Sequence, residues 1–322
     1  MTTITNWVYF LEYNEDVRLQ EQVGLLIRAL RSDLTSVQEI AIVQLSLFGP
    51  RAIPYLTSAL SHALTEASSS SWNMRSSPEE AVRSIVRILG IIGEPVSISD
   101  ITNALPRPEA VEALAKVGDD RALEAVIGRM PEWYRKAGGL DHLDVDDFVR
   151  KVFGYFGEKG KTKLHTTLRK GNKETKIAVV KILAALGDPD SIPVLLETLE
   201  SKDSSTNAEV ARALHRLKAR EAVPKMVTEL LRTQDHEERT TLAKAVLELG
   251  SLNDWIQIYF HRPKVELHRG PLFDAAIINC GEEAIPHLTK LLQDSDPNAQ
   301  RIAAEMIAKI KRGEKADTDP FI

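Results

Sequence analysis

Between Arg150 and Lys176 the chain concentrates basic side chains: Arg150, Lys151, Lys159, Lys161, Lys163, Arg169, Lys170, Lys173 and Lys176, opposed there only by Glu158 and Glu174. The whole chain carries a net charge of −5, so this stretch runs against the balance of the molecule. Cations at such density can neutralise a phosphate backbone or an acidic protein surface, each contact adding a salt-dependent contribution. Trp133 and Tyr134 precede the stretch, and Phe153, Tyr155, Phe156 and His165 fall inside it. The competing reading is a solvated helix face whose aromatic residues pack inward. A contiguous patch in space and a steep fall of affinity with salt are what the first reading requires.

Other residues with chemical potential form thinner patterns. Asp141, Asp144, Asp146 and Asp147 lack the alternate spacing and central glycine of a calcium loop. They read instead as an acidic first turn that complements the dipole of a helix over Phe148–Phe156. A single His-Glu pair, His236-Glu237, lies in a polar turn, and His261 and His268 flank Arg262, Pro263 and Lys264 in an irregular connection. The sole cysteine, Cys280, excludes an intramolecular disulfide and a C-x-x-C motif, and reads as a small buried hydrophobe. A Gly-rich phosphate loop, a Gly-x-Ser-x-Gly and a His-Glu-x-x-His are all missing. Neither a catalytic set, a metal site nor a cofactor is expected.

The elements that must position these residues repeat. Gly187-Asp188-Pro189-Asp190-Ser191-Ile192-Pro193-Val194-Leu195 opens a helix with Ile192, Leu195, Leu196 and Leu199 on one face. A polar break leads to a second helix bearing Val210, Ala213, Leu214 and Leu217, and then Arg220-Glu221-Ala222-Val223-Pro224 restarts the phrase. Its echoes begin at Gly49, Gly93, Gly118, Gly157, Gly250 and Gly281, each glycine serving as a left-handed helix stop. Proline after Ile or Val falls in the first helical turn, where its missing N–H has no partner to lose. The unit is a helix pair of about thirty residues, and stacked pairs of this kind bury each other's apolar faces.

These phrases resemble HEAT repeats, in the short HEAT-like form first recognised in phycobilisome lyases. The match lies in Gly-[Asp/Glu]-x-x-[Ala/Ser]-[Ile/Val]-Pro-x-Leu, here Gly187–Leu195 and Gly281–Leu288, and in the Asp296–Ile307 second helix. It extends well over Gly157 to Arg312 and loosely over Val23 to Met130. The resemblance implies an all-α solenoid of about eight helix pairs whose second helices line a concave binding surface. Within it we expect an N-terminal cap over 1–14, rich in Trp7, Tyr9, Phe10 and Tyr13. Irregular repeats follow over 15–156, with inserted loops at 68–77 and 131–147; Trp72 in the first of these either docks on the body or awaits a partner, and Ser77 and Glu80 then form a capping box. Regular repeats occupy 157–312 and a frayed tail 313–322.

Members of this fold include enzymes, and the residues test each case. Deoxyhypusine hydroxylases resemble the chain in architecture but hold iron through several His-Glu pairs, of which this sequence has one. HEAT-like DNA glycosylases use a basic channel with aromatics and an Asp, for which Trp133, Tyr134 and Asp144 or Asp146 are the only candidates. Bilin lyase subunits share the repeat without any residues here that define a bilin site. The expectation is a non-enzymatic scaffold or assembly factor holding a protein partner on the concave face. Nucleic-acid binding through Trp133, Tyr134, Arg150, Lys151, Lys159, Lys161, Lys163, Arg169 and Lys170 is the second reading, and a bilin lyase or chromophore chaperone the third. With no signal-peptide pattern and no apolar run of membrane-spanning length, the expected location is the cytoplasm.

Overall fold

The computed structural model describes residues 17–69, 77–139, 144–201, 203–261 and 270–314. Expectations that fall on 1–16, on Trp72, on Asp141 and on 315–322 lie outside the described residues, as do the side chains of Ser77 and His261. Every regular element among the described residues is helical, and the chain forms an α-solenoid in two compact units that divide between Lys163 and Leu164.

The first unit begins with α1 (17–29) and α2 (Thr35–Leu47), followed by α3 (Ile53–Ser69), α4 (Ser77–Ile92), α5 (Ile98–Asn103), α6 (Pro108–Val117), α7 (Asp120–Gly128) and α8 (Met130–Gly138). Helices α2, α4, α6 and α8 pack in succession as one layer, and α3, α5 and α7 as the other. Leu56, Leu60, Ile85, Leu89, Ile101, Leu114 and Met130 fill the space between them and are fully buried. The division falls within α9 (Val145–Lys170), which breaks at Gly157.

The second unit continues with α10 (Lys173–Leu186), α11 (Ile192–Thr198), α12 (Ser204–Arg216), α13 (Val223–Arg232), α14 (His236–Leu249), α15 (Leu252–His261), α16 (Gly270–Asn279), α17 (Ile285–Leu291) and α18 (Pro297–Lys311). Here α10, α12 and α14 lie side by side, with α11 and α13 packed behind them. A further cluster of Ile256, Ile277, Leu288, Met306 and Ile310 closes the C-terminal end.

The repeated phrase has a defined local structure. Gly187 takes the left-handed conformation, Asp188 accepts a hydrogen bond from the Asp190 amide at 3.1 Å, and a 3-10 turn over Pro189–Ser191 delivers the chain into α11. The same turn-then-helix joint occurs at Gly49–Ala52, Pro95–Ser97, Arg220–Ala222 and Gly281–Ala284. Asp and Asn side chains cap the second helices: Asn172 accepts from the Thr175 amide, Asp203 from Thr206 and Asp235 from Glu238.

Three positions depart from the sequence reading. The inserted loop expected at 131–147 begins as helix α8, because Pro131 sits in its first turn and Met130, Trp133 and Ala137 bury one face of it. Gly250 is extended rather than left-handed, and its lack of a Cβ serves a close approach instead: a Cβ there would sit 2.5 Å from the Val246 carbonyl oxygen. Between α12 and α13 the left-handed place is taken by Lys218, at φ 54°, a region that costs an L-residue about 1 kcal/mol.

Two stability outcomes follow. Gly90 lets α4 approach α6 so closely that a Cβ would lie 2.7 Å from the Ala113 Cα and Cβ. Gly90→Ala should therefore lower stability by about 1–3 kcal/mol through overpacking, read as a lower urea midpoint. Lys218→Gly relieves the strained backbone and should raise stability by about 0.5–1 kcal/mol, since glycine's unfolded-state entropy offsets part of the gain. A Lys218→Gly midpoint at or below wild type would contradict the strain argument.

Candidate binding surface

Helix α9 begins on the acidic turn. The Asp144 carboxylate accepts from the Asp147 amide at 3.0 Å, and Asp146 and Asp147 lie in the first turn against the positive end of the helix. At Gly157 the backbone adopts φ 54°, ψ −139°, a conformation open in practice only to glycine, and the helical run restarts beyond it. Phe153 and Phe156 are buried and close on Gly160, whose missing Cβ would touch the Phe156 Cβ at 2.9 Å. Tyr155 alone of the three aromatics faces outward, 47% exposed.

The cations on this helix are held by carboxylates, several of them one repeat away. Lys151 reaches Glu112 on α6 at 2.9 Å, and Lys159 and Lys163 reach Asp120 and Glu124 on α7, each at 3.1 Å. Arg150 bonds Asp147, and Lys161 pairs with Glu158 at 3.0 Å. In the second unit Arg169 makes two bonds to Glu197 on α11, the shorter 2.9 Å, and Lys173 meets Asp203 at 2.7 Å. Lys170 is exposed. Residues 150–163 belong to the first unit and 164–176 to the second.

The electrostatics follow the pairing. The Asp147 carboxylate raises Arg150 above its ordinary value, and Glu197 does the same for Arg169 while being lowered itself. Burial works to raise Glu112, but the ammonium groups of Lys116 and Lys151, each 2.9 Å away, outweigh it and hold the carboxyl low. Asp203 behaves alike: burial opposes, and hydrogen bonds from Lys173 and Thr206 prevail.

Trp133 is a core residue. Its side chain is completely buried, its indole N–H donates to the Val126 carbonyl at 2.8 Å, and Phe148 meets it edge-on with ring centres 6.0 Å apart. It presents nothing to a partner at the surface, because an amphipathic α8 turns it inward. Tyr134 is half-buried beside it.

Two polar arrangements escaped the sequence reading. On α10, α12 and α14 a ladder runs from Lys181 to Glu209 (3.5 Å), from Glu209 to Arg212 (3.0 Å) and from Arg212 to Glu237 (2.6 Å); His215 meets Glu248 at 2.5 Å on the same two later helices. Beneath it lies a buried network. The Asn207 amide donates to Glu238 at 2.8 Å and to the Ser201 carbonyl at 3.0 Å, and accepts from the Ser201 hydroxyl at 2.8 Å. Thr233 donates to the other Glu238 oxygen at 2.5 Å, and Arg232 makes two bonds to Glu229. Partners one helix pair away are the signal that could have exposed both, since Asn207 and Glu238 are 31 residues apart, close to the period of the repeat.

Among the described residues no three His, Cys, Asp or Glu side chains stand together as a metal site. Glu237 is engaged by Arg212. Cys280 is half-buried against the C-terminal cluster, where burial and the Glu283 charge push its thiol up and so away from the reactive thiolate.

Residues 162–248 match the family model for HEAT repeats. No curated protein matches the sequence. Among solved structures, the complex of CpcE and CpcF of phycocyanin lyase from Nostoc sp. PCC7120 aligns with 89% of this chain and 94% of that chain, at 19% identity and a TM-score of 0.28. Human deoxyhypusine hydroxylase in complex with glycerol aligns with 92% of this chain and 97% of that one, at 16% identity and a TM-score of 0.28. An engineered protein aligns over 92% and 99%, at 19% identity and a TM-score of 0.25.

The pairing predicts a pH dependence. Glu112, Glu79 (held by hydrogen bonds from Arg107), Glu197 and Asp203 all sit below their ordinary values. Their contribution to stability is complete above the unfolded-state value, 4.5 for a glutamate, and is lost as pH falls through the depressed values. Glu112→Gln should cost up to about 1 kcal/mol at pH 7, given that Lys151 is half exposed. The gap to wild type should close in acid denaturation below the glutamate range; a gap constant with pH would show that the pairs contribute nothing.

Proposed function

We propose that this HEAT-repeat chain, an α-solenoid with HEAT repeats over residues 162–248, is a non-enzymatic scaffold or assembly factor that holds a protein partner along α10, α12 and α14. The observation that carries this reading is the Lys181–Glu209–Arg212–Glu237 ladder, which crosses three successive helices with charges of alternating sign at the solvent. HEAT repeats generally mediate protein interactions, and a repeat array offers an extended face on which each helix adds a strip. Alternating charge selects a partner by complementarity and register rather than attracting any polyanion. The buried Asn207–Glu238 network beneath holds α12 and α14 in fixed register, so the face is presented preformed.

The cations at 150–176 support the same choice. Each paired lysine would have to leave a carboxylate before it could neutralise a phosphate, which reduces the counterion-release gain that drives nucleic-acid binding. No helix among the described residues is long and apolar enough to cross a membrane. We place the protein in the cytoplasm.

The test is an affinity pull-down with the full chain at low and high salt. Wild type and a Lys159/Lys161/Lys163 charge reversal should both retain the same protein partner, identified by mass spectrometry. Lys181→Glu with Arg212→Glu should release it. Nucleic acid held only at low salt, and lost with the lysine reversal, would overturn the scaffold reading in favour of backbone-phosphate recognition.

A further inference from the structure

Helix α3 outruns its neighbour. It spans 17 residues, about 25 Å at the rise of a helix, whereas α5, beside it in the same layer, spans 6, about 9 Å, and cannot cover the whole side of α3. A groove of about 320 Å³ lies between the two helices, at the lower end of the range for small-molecule sites. From α3 it is lined by the hydroxyls of Thr57, Ser61, Thr65 and Ser68, at the 3- and 4-residue spacing of one helical face, with Leu60 and Leu64 beside them. From α5 it is lined by Asp100 and Asn103, three residues apart and so on one face.

The hydrogen bonding sorts donors from acceptors. The Thr57 hydroxyl donates to the Pro54 carbonyl at 3.2 Å, Thr65 to Ser61 at 3.0 Å and Ser68 to Leu64 at 2.7 Å. With those hydrogens committed to the helix, the three oxygens have lone pairs left to offer. Asp100 adds two acceptor oxygens. Elsewhere in the first unit Glu66, Glu79, Glu109, Glu112 and Asp120 each meet an arginine or lysine, but Asp100 meets no cation among the described residues. A groove so rich in acceptors calls for a cation with several N–H groups.

We propose that the α3–α5 groove is a guanidinium-binding site, in which two N–H groups seat on the Asp100 carboxylate and others reach the hydroxyls of α3. An ammonium has three donors, fewer than the acceptors lining this groove, whereas a guanidinium has five in a rigid plane that meets a carboxylate with two parallel bonds. The guanidinium is also the more weakly hydrated ion, and its faces can lie against the apolar part of the lining, Leu60 and Leu64. The ligand is an arginine-class cation, either free or presented by another protein. The site lies within the first unit and does not depend on the partner face proposed for α10, α12 and α14.

The experiment is an NMR titration of the isotope-labelled full chain with N-acetyl-arginine amide, its lysine counterpart and free L-arginine. With the blocked arginine, the Asn103 side-chain amide and the Thr57 and Thr65 backbone amides should shift and saturate, at an affinity on the order of millimolar. Asp100→Asn should weaken binding by about tenfold or more, the loss of a charge-assisted pair, and Thr65→Val by about 2–5-fold, the loss of one neutral hydrogen bond. Both positions are at least partly open to solvent, and circular dichroism checks that the fold is kept. The lysine compound, with fewer donors, should bind about 2–5-fold less tightly than the arginine one. Free L-arginine binding more tightly than the blocked form would assign the site to a small molecule, and the reverse order to an arginine of a protein partner. Shifts that fail to saturate, or that survive Asp100→Asn unchanged, would overturn the proposal. Lysine binding as tight as arginine would overturn the choice of a guanidinium.

Discussion

Five times in the described chain a small side chain, Ala52, Ser97, Ser191, Ala222 or Ala284, is completely buried at the end of a 3-10 turn. The residue after it, Ile or Val, starts a helix. The turn lays its backbone against the neighbouring helices, and a larger side chain at the small position would push the next helix away. Because each helix pair covers the apolar face of the one before it, an error in direction at a joint would expose two faces, not one. The left-handed residue that precedes most of these joints, Gly187 for example, and the Asp or Asn caps that follow them serve the same end: they set where one helix stops and the next begins.

The electrostatics inherit that geometry. Repeats stacked at a constant interval bring side chains about one unit apart in sequence into contact, so Lys159 and Lys163 find Asp120 and Glu124, and Arg212 finds Glu237. A run of cations in sequence is thereby dispersed into ion pairs in space. Individually such exposed pairs contribute little to stability. Collectively they decide what the surface offers to a partner, which is alternating sign rather than a single-signed field. The buried Asn207, Glu229 and Glu238 are a different matter: their polar atoms are satisfied by one another and by Arg232, Thr233 and Ser201, and an unsatisfied member there would be costly. That network links the ends of α12, α13 and α14, the helices that carry the proposed partner-binding face.

A stack also has ends, and the rules change there. Interior repeats such as α12 expose polar and charged side chains outward, whereas α2 exposes Ile40, Val43 and Leu47.

The all-α class, the repeat period, the glycine stops and the proline-led helices were legible in the amino-acid sequence, because they rest on local backbone preference and on apolar periodicity that any window of thirty residues contains. So was the acidic start of α9, whereas the caps at Asp203 and Asp235 emerge only in the structure. Tertiary structure decided the rest. Trp133, a candidate surface aromatic by its neighbours in sequence, is in the core because packing on Phe148 and Val126 settles which face of α8 turns inward. Lys218 occupies a left-handed place that sequence assigns to glycine. The basic stretch became a set of ion pairs, since charge is summed over distance in space and not along the chain. Local preferences can name the helices; which side chains meet across them depends on the joints, and those are closed only when neighbouring repeats pack.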